Sequence, residues 1–352
     1  MSIRKEVTLS LVSRRPAGLF AAGLVAVLVA GLVAACGSGS TASPTVGAPT
    51  PLRVGLGYIP SVQFAQFYLA DQAGYYREAG LEVTFENKSD PDLVTLVGQG
   101  VVDIGIADGT SLIPAVSQGI PVRYVATIYA DFPSIVFAKA SSGITGPADL
   151  KGRKLGIPGK YGSSWIMLQA LLASVGLTPA DLELVEFPKY GQDVAVREGV
   201  VDAATGFVNN EPVQLELSGE KVVVLTVDAI TPLPGPGLIT GEATLAGPKK
   251  AALKAFVAAT LRAMKEIAAD PLKGWDAAVA VVPELASDRE TQLAVLNATV
   301  DAWQSSYTDA NGWGAVDEGA WTESIDFMSG LPDSPVAKPV TVDQLVSKEL
   351  LP

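Results

Sequence analysis

The fold is decided by residues 100–109, which read Gly-Val-Val-Asp-Ile-Gly-Ile-Ala-Asp-Gly. The same plan returns at residues 199–208 as Gly-Val-Val-Asp-Ala-Ala-Thr-Gly-Phe-Val. Each copy has a turn glycine, an acidic residue and a short apolar run that leads into a loop. This pattern is typical of a buried parallel strand with a ligand-facing loop at its carboxyl end. Two copies predict two α/β lobes of one design, in which Asp103 and Asp202 fix turns.

Short apolar strands alternate with helices around each copy. The first half contains the strand-like segments 52–56, 81–85 and 122–129, and the second half repeats their order with 154–158, 182–187 and 221–227. This alternation predicts an open, mostly parallel sheet flanked by helices in each lobe. No further strand pattern follows the Pro/Gly-rich crossover 231–237, so the remaining chain is predicted to be helical and to pack on the lobes.

These patterns divide the chain into four parts. Residues 1–35 form an export signal, and residues 36–51, which lack charged side chains and are rich in Gly, Ser, Thr, Ala and Pro, form a flexible tether. Residues 52–134 and 234–352 are predicted to form the first lobe, and residues 135–233 the second.

Composition excludes several classes of function. The 352-residue chain has a formal net charge of −12, no histidine and one cysteine. So acidic a chain repels phosphate backbones, which argues against nucleic-acid binding. A Ser-His-Asp triad is impossible without histidine, and one cysteine makes neither an internal disulfide nor a cysteine metal cluster. We therefore expect no catalytic residue, metal site or cofactor.

The single cysteine, Cys36, falls at the end of the export signal. Arg4, Lys5, Arg14 and Arg15 precede an apolar run that ends Leu-Val-Ala-Ala-Cys at residues 32–36. These small residues before Cys36 resemble a lipobox, at which the signal is cleaved and the cysteine is acylated. The alternative is an uncleaved membrane helix. Either way, the chain is expected outside the cytoplasm and attached to the outer face of the cytoplasmic membrane.

Several stretches between residues 52 and 352 resemble one family of receptors. The sequence is similar to periplasmic solute-binding proteins of ABC importers, in the group that includes receptors for thiamine precursors, riboflavin, nitrate, taurine and aliphatic sulfonates. The stretches that carry the resemblance are 57–60, 67–70, 74–83, 149–152, 206–212, both Gly-Val-Val-Asp segments and the ending 321–352.

The resemblance implies a type II periplasmic-binding-protein fold, in which two lobes close on a ligand by a hinge. It implies an ABC permease as partner and a monomeric receptor with no enzymatic activity. Some relatives are enzymes that make the thiamine pyrimidine, but as the resemblance implies they use a cysteine cluster and an active-site histidine, which this chain lacks. A sensor of similar build without a permease is a further alternative.

Candidate ligand contacts in the first lobe follow its strands, because open α/β sheets bind ligands at the carboxyl ends of their strands. Tyr58 could stack on a planar ring, or close the lobe as a buried tyrosine. Asp108 could accept hydrogen bonds from a ligand, or cap the next helix. The candidates of this lobe are Tyr58, Ile59, Pro60, Gln63, Asp108, Gly109, Thr110 and Phe132.

The second lobe supplies an equivalent set. Its serines at a helix start suit an anion or a polar ring edge, with ordinary capping as the alternative. Trp165 could be the opposing stacking platform or pack against its own helix. Glu211 could bind an amino-bearing ligand or favour a helix N-terminus. The candidates are Tyr161, Ser163, Ser164, Trp165, Tyr190, Asn209, Asn210 and Glu211.

The balance of side chains around these loops indicates the kind of ligand. Aromatic residues are frequent there, whereas basic residues are few, namely Lys160 and Lys189. A sulfonate or nitrate would favour arginine or lysine in the cleft. We therefore expect a flat heteroaromatic nutrient, riboflavin or a thiamine pyrimidine precursor, with an alkanesulfonate, taurine or nitrate as the alternative.

Overall fold

The structure, a computed structural model, describes residues 48–88, 90–331 and 333–352. The predicted export signal, Cys36 and most of the predicted tether lie outside the described residues. In the part of the chain that is described, no helix has the length and apolar character needed to cross a membrane.

Within the described residues, ten strands form two five-stranded sheets. The strands are β1 (Thr50–Leu56), β2 (Leu81–Asn87), β3 (Ile104–Ala107), β4 (Val122–Thr127), β5 (Ser134–Lys139), β6 (Lys154–Ile157), β7 (Glu183–Glu186), β8 (Ala203–Phe207), β9 (Val222–Leu225) and β10 (Gly237–Gly241). The first sheet has the order β2-β1-β3-β10-β4, and the second has the order β7-β6-β8-β5-β9. The two orders are equivalent, as the repeated Gly-Val-Val-Asp segment predicts.

Each sheet contains one strand that is antiparallel to its neighbours. In both sheets it is the first strand that the chain forms after it passes over from the other sheet. β10 runs antiparallel to β3 and β4, and β5 runs antiparallel to β8 and β9. The pairs β1–β2, β1–β3, β6–β7 and β6–β8 are parallel. The predicted two-lobed α/β class is confirmed, with mixed sheets.

The sequence prediction missed β10. Its five residues, Gly-Leu-Ile-Thr-Gly, are bounded by glycines and follow a Pro/Gly-rich segment, so they read locally as a loop. β10 is a strand because all five residues are buried between β3 and β4, where neighbouring backbones supply its hydrogen bonds. The chain beyond residue 233 therefore completes the first sheet before it becomes helical.

Helices cover both sheets. Those before β10 are α1 (Ala65–Gln72), α2 (Tyr75–Glu78), α3 (Asp90–Gly98), α4 (Gly109–Ser117), α5 (Gly162–Ala173), α6 (Gln192–Arg197) and α7 (Glu211–Leu217). Those after it are α8 (Glu242–Ala246), α9 (Lys250–Ala269), α10 (Pro271–Val281), α11 (Arg289–Asp301), α12 (Ser306–Asn311), α13 (Glu318–Ser329) and α14 (Val342–Leu345). The C-terminal helices pack on the sheets, as predicted.

The core of the first sheet illustrates that packing. One apolar cluster joins residues of β1 and β3 to α1, α9, α10 and α11. Within it, Phe256 of α9 stacks on Phe67 and on Tyr76, with ring centroids 6.2 and 4.8 Å apart. Such aromatic pairs add to the free energy gained by burying apolar surface. The long C-terminal helices thus form one wall of the first sheet's core.

The two chain crossings lie side by side. Residues 128–133 lead from β4 to β5, and residues 226–236 lead from β9 to β10. The backbone N–H groups of Ile128 and Tyr129 donate to the carbonyl of Pro236, at 3.2 and 2.8 Å. Both sheets belong to one compact unit, so the lobe boundaries at residues 134 and 233 stay a prediction.

The two repeated aspartates occupy equivalent positions. Asp103 accepts a hydrogen bond from the Arg53 N–H at 2.9 Å, and its own N–H donates to the Arg53 carbonyl at 2.9 Å. Asp202 exchanges the same two bonds with Lys154, at 2.9 and 2.8 Å. Asp103 therefore links β3 to β1, and Asp202 links β8 to β6. Of the two aspartates, only Asp103 adds an ion pair, which is partly buried and joins it to Lys249 at 2.8 Å.

We predict that Asp103→Ala destabilises the protein more than Asp202→Ala. The first change leaves the part-buried Arg53 N–H and the half-buried Lys249 ammonium without this partner and is expected to lower the free energy of unfolding by about 1.5–3 kcal/mol. The second removes an exposed hydrogen bond, worth about 1 kcal/mol. Urea unfolding followed by circular dichroism measures both. Equal losses would show that Lys249 adds nothing to the link.

Candidate functional site

A cavity of about 160 Å³ lies between the carboxyl ends of the two sheets. Residues that follow β1, β3, β6, β7 and β8 reach it, which is the edge at which open α/β sheets bind ligands. Its wall is made of Gly57, Tyr58, Gln63, Phe64, Ile106, Ala107, Asp108, Tyr129, Pro158, Tyr161, Gly162, Ser163, Ser164, Tyr190, Gln192, Gly206, Phe207, Asn210, Glu211 and Pro236.

Nine of the residues predicted from the sequence lie in this wall. Three belong to the first half of the chain and six to the second, so the two repeats face one another across the cavity as expected from their sheets. They are Tyr58, Gln63, Asp108, Tyr161, Ser163, Ser164, Tyr190, Asn210 and Glu211.

Seven predicted residues lie outside the wall. Ile59 and Pro60 are exposed, with 55% of Ile59 accessible. Trp165 packs against the apolar cluster around α5 instead of facing the cavity, and Phe132 lines a separate cavity beside the crossings. Helical geometry explains Trp165, because its neighbours Ser163 and Ser164 take the face of α5 that meets the cavity.

Gly109 and Thr110, which also lie outside the wall, serve the start of α4. The Gly109 N–H donates to the Pro234 carbonyl at 3.0 Å, and a Cβ at position 109 would lie 2.8 Å from the Pro234 ring. Thr110 donates its hydroxyl to Asp108. Asp108 accepts from the Ser111 N–H at 3.0 Å and so caps α4, while also lining the cavity.

Asn209, the last predicted residue outside the wall, is fully buried and joins the two halves of the chain. Its amide donates to Gln63 at 3.0 Å and to the Thr299 hydroxyl of α11 at 2.8 Å, and the Tyr129 hydroxyl lies 3.5 Å away. Because Gln63 lines the cavity, this network holds a wall residue in place from behind. Asn209 therefore positions the wall rather than forming part of it.

Tyr58 and Tyr190 form an aromatic corner of the cavity. Their rings meet edge to face with centroids 4.8 Å apart, and the Tyr58 carbonyl accepts from the Asn87 side chain at 2.6 Å. Burial raises the pKa of the Tyr58 phenol, and the nearby Glu211 carboxylate raises it further. The Tyr58 phenol thus stays protonated throughout the physiological pH range.

The Tyr190 backbone is held in an unusual conformation. Its φ of 63° makes Tyr190 the one described residue other than glycine in the left-handed region, and Gly191, with φ of 97°, follows in the same region. Left-handed backbone is unfavourable for residues with a Cβ and clusters at functional sites. This strained turn aims Tyr190 and the residue after Gly191 at the cavity.

Glu211 is an acid of the wall whose pKa is shifted by its surroundings. Its carboxylate accepts from the Phe207 N–H at 2.7 Å and from the Asn210 amide at 3.3 Å. A Cβ on Gly206 would lie 2.7 Å from a Glu211 oxygen, so the glycine makes room for the carboxyl group. Burial raises the pKa of Glu211 to about 7, with the charge of Asp193 adding to the rise. At neutral pH this carboxyl is therefore near half protonation.

The charge of the wall is as informative as its shape. Four tyrosines and two phenylalanines line the cavity, and the only formally charged groups among its lining residues are Asp108 and Glu211. No arginine or lysine is among the described residues of the wall. The N-terminus of α5 opens on the cavity without a side-chain cap. Aromatic surfaces, acceptors and backbone donors thus dominate this site.

Sequence reasoning missed part of the wall. Phe64 lies in a short helical turn and Phe207 counted among the aromatic residues near the loops, but neither of them, nor Tyr129, was selected as a ligand contact. Gln192 had no such signal, because it is the first residue of α6 and lies six positions beyond the end of β7. Only the left-handed turn at Tyr190 and Gly191 brings Gln192 back to the cavity.

We predict that Glu211→Gln changes how stability depends on pH. A pKa raised from 4.5 to about 7 means that the folded state binds the proton more tightly, so this group stabilises the fold fully below pH 4.5 and loses that effect as pH rises to about 7. The wild-type protein should lose up to about 3 kcal/mol over this window relative to Glu211→Gln. Denaturant unfolding at pH 4.5, 6 and 8 measures the difference, and parallel curves for the two proteins would contradict it.

Known proteins share both the sequence and the fold. Residues 61–273 match the NMT1/THI5 like family. The chain is 33% identical to the riboflavin-binding protein RibY of Chloroflexus aurantiacus, over 93% of this chain and 96% of RibY. It is 27% identical to a 4-amino-5-hydroxymethyl-2-methylpyrimidine phosphate synthase of Legionella pneumophila, over 62% of this chain and 69% of the synthase.

The fold agrees with solved structures of binding proteins. The alkanesulfonate-binding protein SsuA of Xanthomonas axonopodis pv. citri, bound to MOPS, superposes with a TM-score of 0.63 at 20% identity, over 85% of this chain and 98% of SsuA. At that identity the likeness concerns the fold alone. The sequence matches show that the chain belongs to the NMT1/THI5 like family. Its two equivalent sheets and the superposition show that it has the periplasmic-binding-protein fold.

Proposed function

We propose that the protein is the extracytoplasmic solute receptor of an ABC importer and that it captures a small, uncharged heteroaromatic nutrient. Riboflavin is the first candidate and a thiamine pyrimidine precursor the second. The proposal combines the similarity to RibY over nearly the whole chain with the chemistry of the cavity wall.

The observation that carries the proposal is the wall itself, which pairs six aromatic rings with no described basic side chain. Flat heteroaromatic rings stack on tyrosine and phenylalanine, and their edges carry donors and acceptors that suit Asn210, Ser163 and Ser164. An anionic ligand would meet Asp108 and a partly ionised Glu211 instead. The wall therefore favours a neutral ring.

Capture by closure follows from the position of the cavity. Wall residues come from both halves of the chain, and the two crossings lie side by side beneath them. A ligand that contacts both halves binds the closed arrangement better than an open one, and this difference in affinity is sufficient to drive closure. The permease would then recognise the closed receptor.

We propose a receptor rather than an enzyme. RibY, which this chain matches over 93% of its length, has the name of a binding protein, whereas the synthase match covers 62% of the chain. The sequence has no histidine to act as a general base. We further propose a monomer that acts without a cofactor and is anchored outside the cytoplasmic membrane by a lipid on Cys36.

An aliphatic sulfonate or nitrate receptor is the second candidate. The uncapped N-terminus of α5, with the buried hydroxyls of Ser163 and Ser164, offers hydrogen-bond donors to an oxyanion. A thermal-shift panel of riboflavin, a thiamine pyrimidine precursor, taurine, ethanesulfonate and nitrate separates the candidates, because a ligand that binds the folded state raises the melting temperature. A shift with taurine or ethanesulfonate alone would reverse the ranking.

We predict that Tyr58→Ala weakens riboflavin binding while Ile59→Ala does not. Loss of a stacked ring is expected to cost about 1–3 kcal/mol, or roughly 5- to 150-fold in affinity. Ile59 is the matched control, since it is the adjacent residue, is exposed and lies outside the wall. Quenching of riboflavin fluorescence measures both affinities. Equal affinities for the wild type and Tyr58→Ala would remove Tyr58 from the binding surface.

We predict that Cys36→Ser releases the exported protein from the membrane, because the substituted residue cannot be acylated. Fractionation of cells that express the wild type or the variant measures the distribution between membrane and soluble fractions. Retention of the variant in the membrane fraction would instead support an uncleaved apolar helix.

A further inference from the structure

Gln192 is a buried polar side chain of the cavity wall that was not among the contacts predicted from the sequence. It is the first residue of α6, it is 1% exposed, and it lines the cavity. It follows the left-handed pair Tyr190 and Gly191, so the strained turn that shapes the aromatic corner also places Gln192. Its position depends on a backbone conformation that few residues adopt.

The Gln192 side-chain oxygen is buried and has no hydrogen-bond partner among the described residues. Buried polar atoms in folded proteins nearly always have a partner, and one without a partner destabilises the fold that contains it. The other wall acceptors differ in this respect. Asp108 accepts from Ser111 and Thr110, and Glu211 accepts from Phe207 and Asn210.

Because Gln192 lines the cavity, a ligand held there is a source from which a hydrogen-bond donor can reach this side chain. A carboxamide is uncharged, so it suits a neutral donor better than a cation, which would favour the carboxylates of Asp108 and Glu211. A carboxamide also carries an acceptor and a donor side by side. This pair is complementary to a ring edge in which an N–H stands next to a carbonyl.

The surrounding rings favour such an edge over a flexible hydroxyl chain. Gln192 lies two residues after Tyr190, whose ring meets Tyr58 at the aromatic corner. A planar ligand whose face packs against this corner leaves its edge for the polar residues of the wall, and Gln192 is one of them.

From these observations we infer that Gln192 is the specificity-determining residue that hydrogen-bonds to the lactam edge of the ligand ring, an N–H beside a carbonyl. This inference rests on the proposed function. The receptor then selects heteroaromatic rings that carry a free ring N–H. Rings whose N–H is methylated are rejected, because the Gln192 oxygen is left buried without a donor.

The test compares riboflavin with N3-methylriboflavin, on the wild type and on Gln192→Met. Methionine keeps the length of the side chain and removes its hydrogen-bonding groups. The wild type should bind riboflavin about 10- to 100-fold more tightly than the methylated probe, as expected for an unpaired buried polar group. Gln192→Met should bind riboflavin more weakly by a similar factor and should no longer distinguish the two flavins.

Gln66→Met is the matched control. Gln66 of α1 is also fully buried, and neither its oxygen nor its nitrogen has a partner among the described residues, but it lies outside the cavity wall. Both methionine variants remove an unpaired polar group and should unfold at the same or a higher denaturant concentration than the ligand-free wild type. Only Gln192→Met should change flavin affinity and discrimination.

The outcomes separate this inference from the proposed function. Discrimination against N3-methylriboflavin that persists in Gln192→Met would reflect steric exclusion and would overturn the role of Gln192. Undiminished riboflavin binding by Gln192→Met would overturn it as well, while the receptor function stands. A wild-type protein that binds neither flavin would overturn riboflavin as the ligand and this inference with it.

Discussion

The pairing of the two chain crossings is the constraint on which the rest of the structure depends. Each sheet contains the strand that the chain forms directly after crossing over from the other sheet. This strand is β5 in one sheet and β10 in the other. The two crossings hydrogen-bond to one another through the Pro236 carbonyl. This geometry sets the carboxyl ends of the two sheets face to face, so the strand-end loops of both repeats form a single cavity.

Polar groups around that cavity fall into two classes. Asn209 and Asp108 hydrogen-bond to the protein itself and hold a wall residue and the start of α4 in place. Gln192 has a buried oxygen that the described residues leave without a partner. Buried side-chain oxygens of Asn209 and Gln66 also lack a partner among the described residues, so it is the place of Gln192 in the cavity wall that supports a ligand as its partner.

Electrostatics and shape act together in the wall. Burial raises the pKa of Glu211 to about 7, and the same loss of water raises the pKa of the Tyr58 phenol. Both groups therefore favour their uncharged forms, which makes the wall more apolar than its sequence suggests. An aromatic, weakly charged wall and the similarity to RibY point to the same chemical class of ligand.

The sequence by itself determined the repeated α/β plan, the helices and nine residues of the wall, because periodicity and turn glycines are local signals. Tertiary structure decided the rest. β10 is a strand only because β3 and β4 supply its partners, and Trp165 faces the core because Ser163 and Ser164 take the cavity side of α5. Gln192 reaches the cavity because of the left-handed turn before it, which the local sequence does not predict. Hydrogen-bond partners and side-chain direction depend on distant parts of the chain, and no local pattern specifies them.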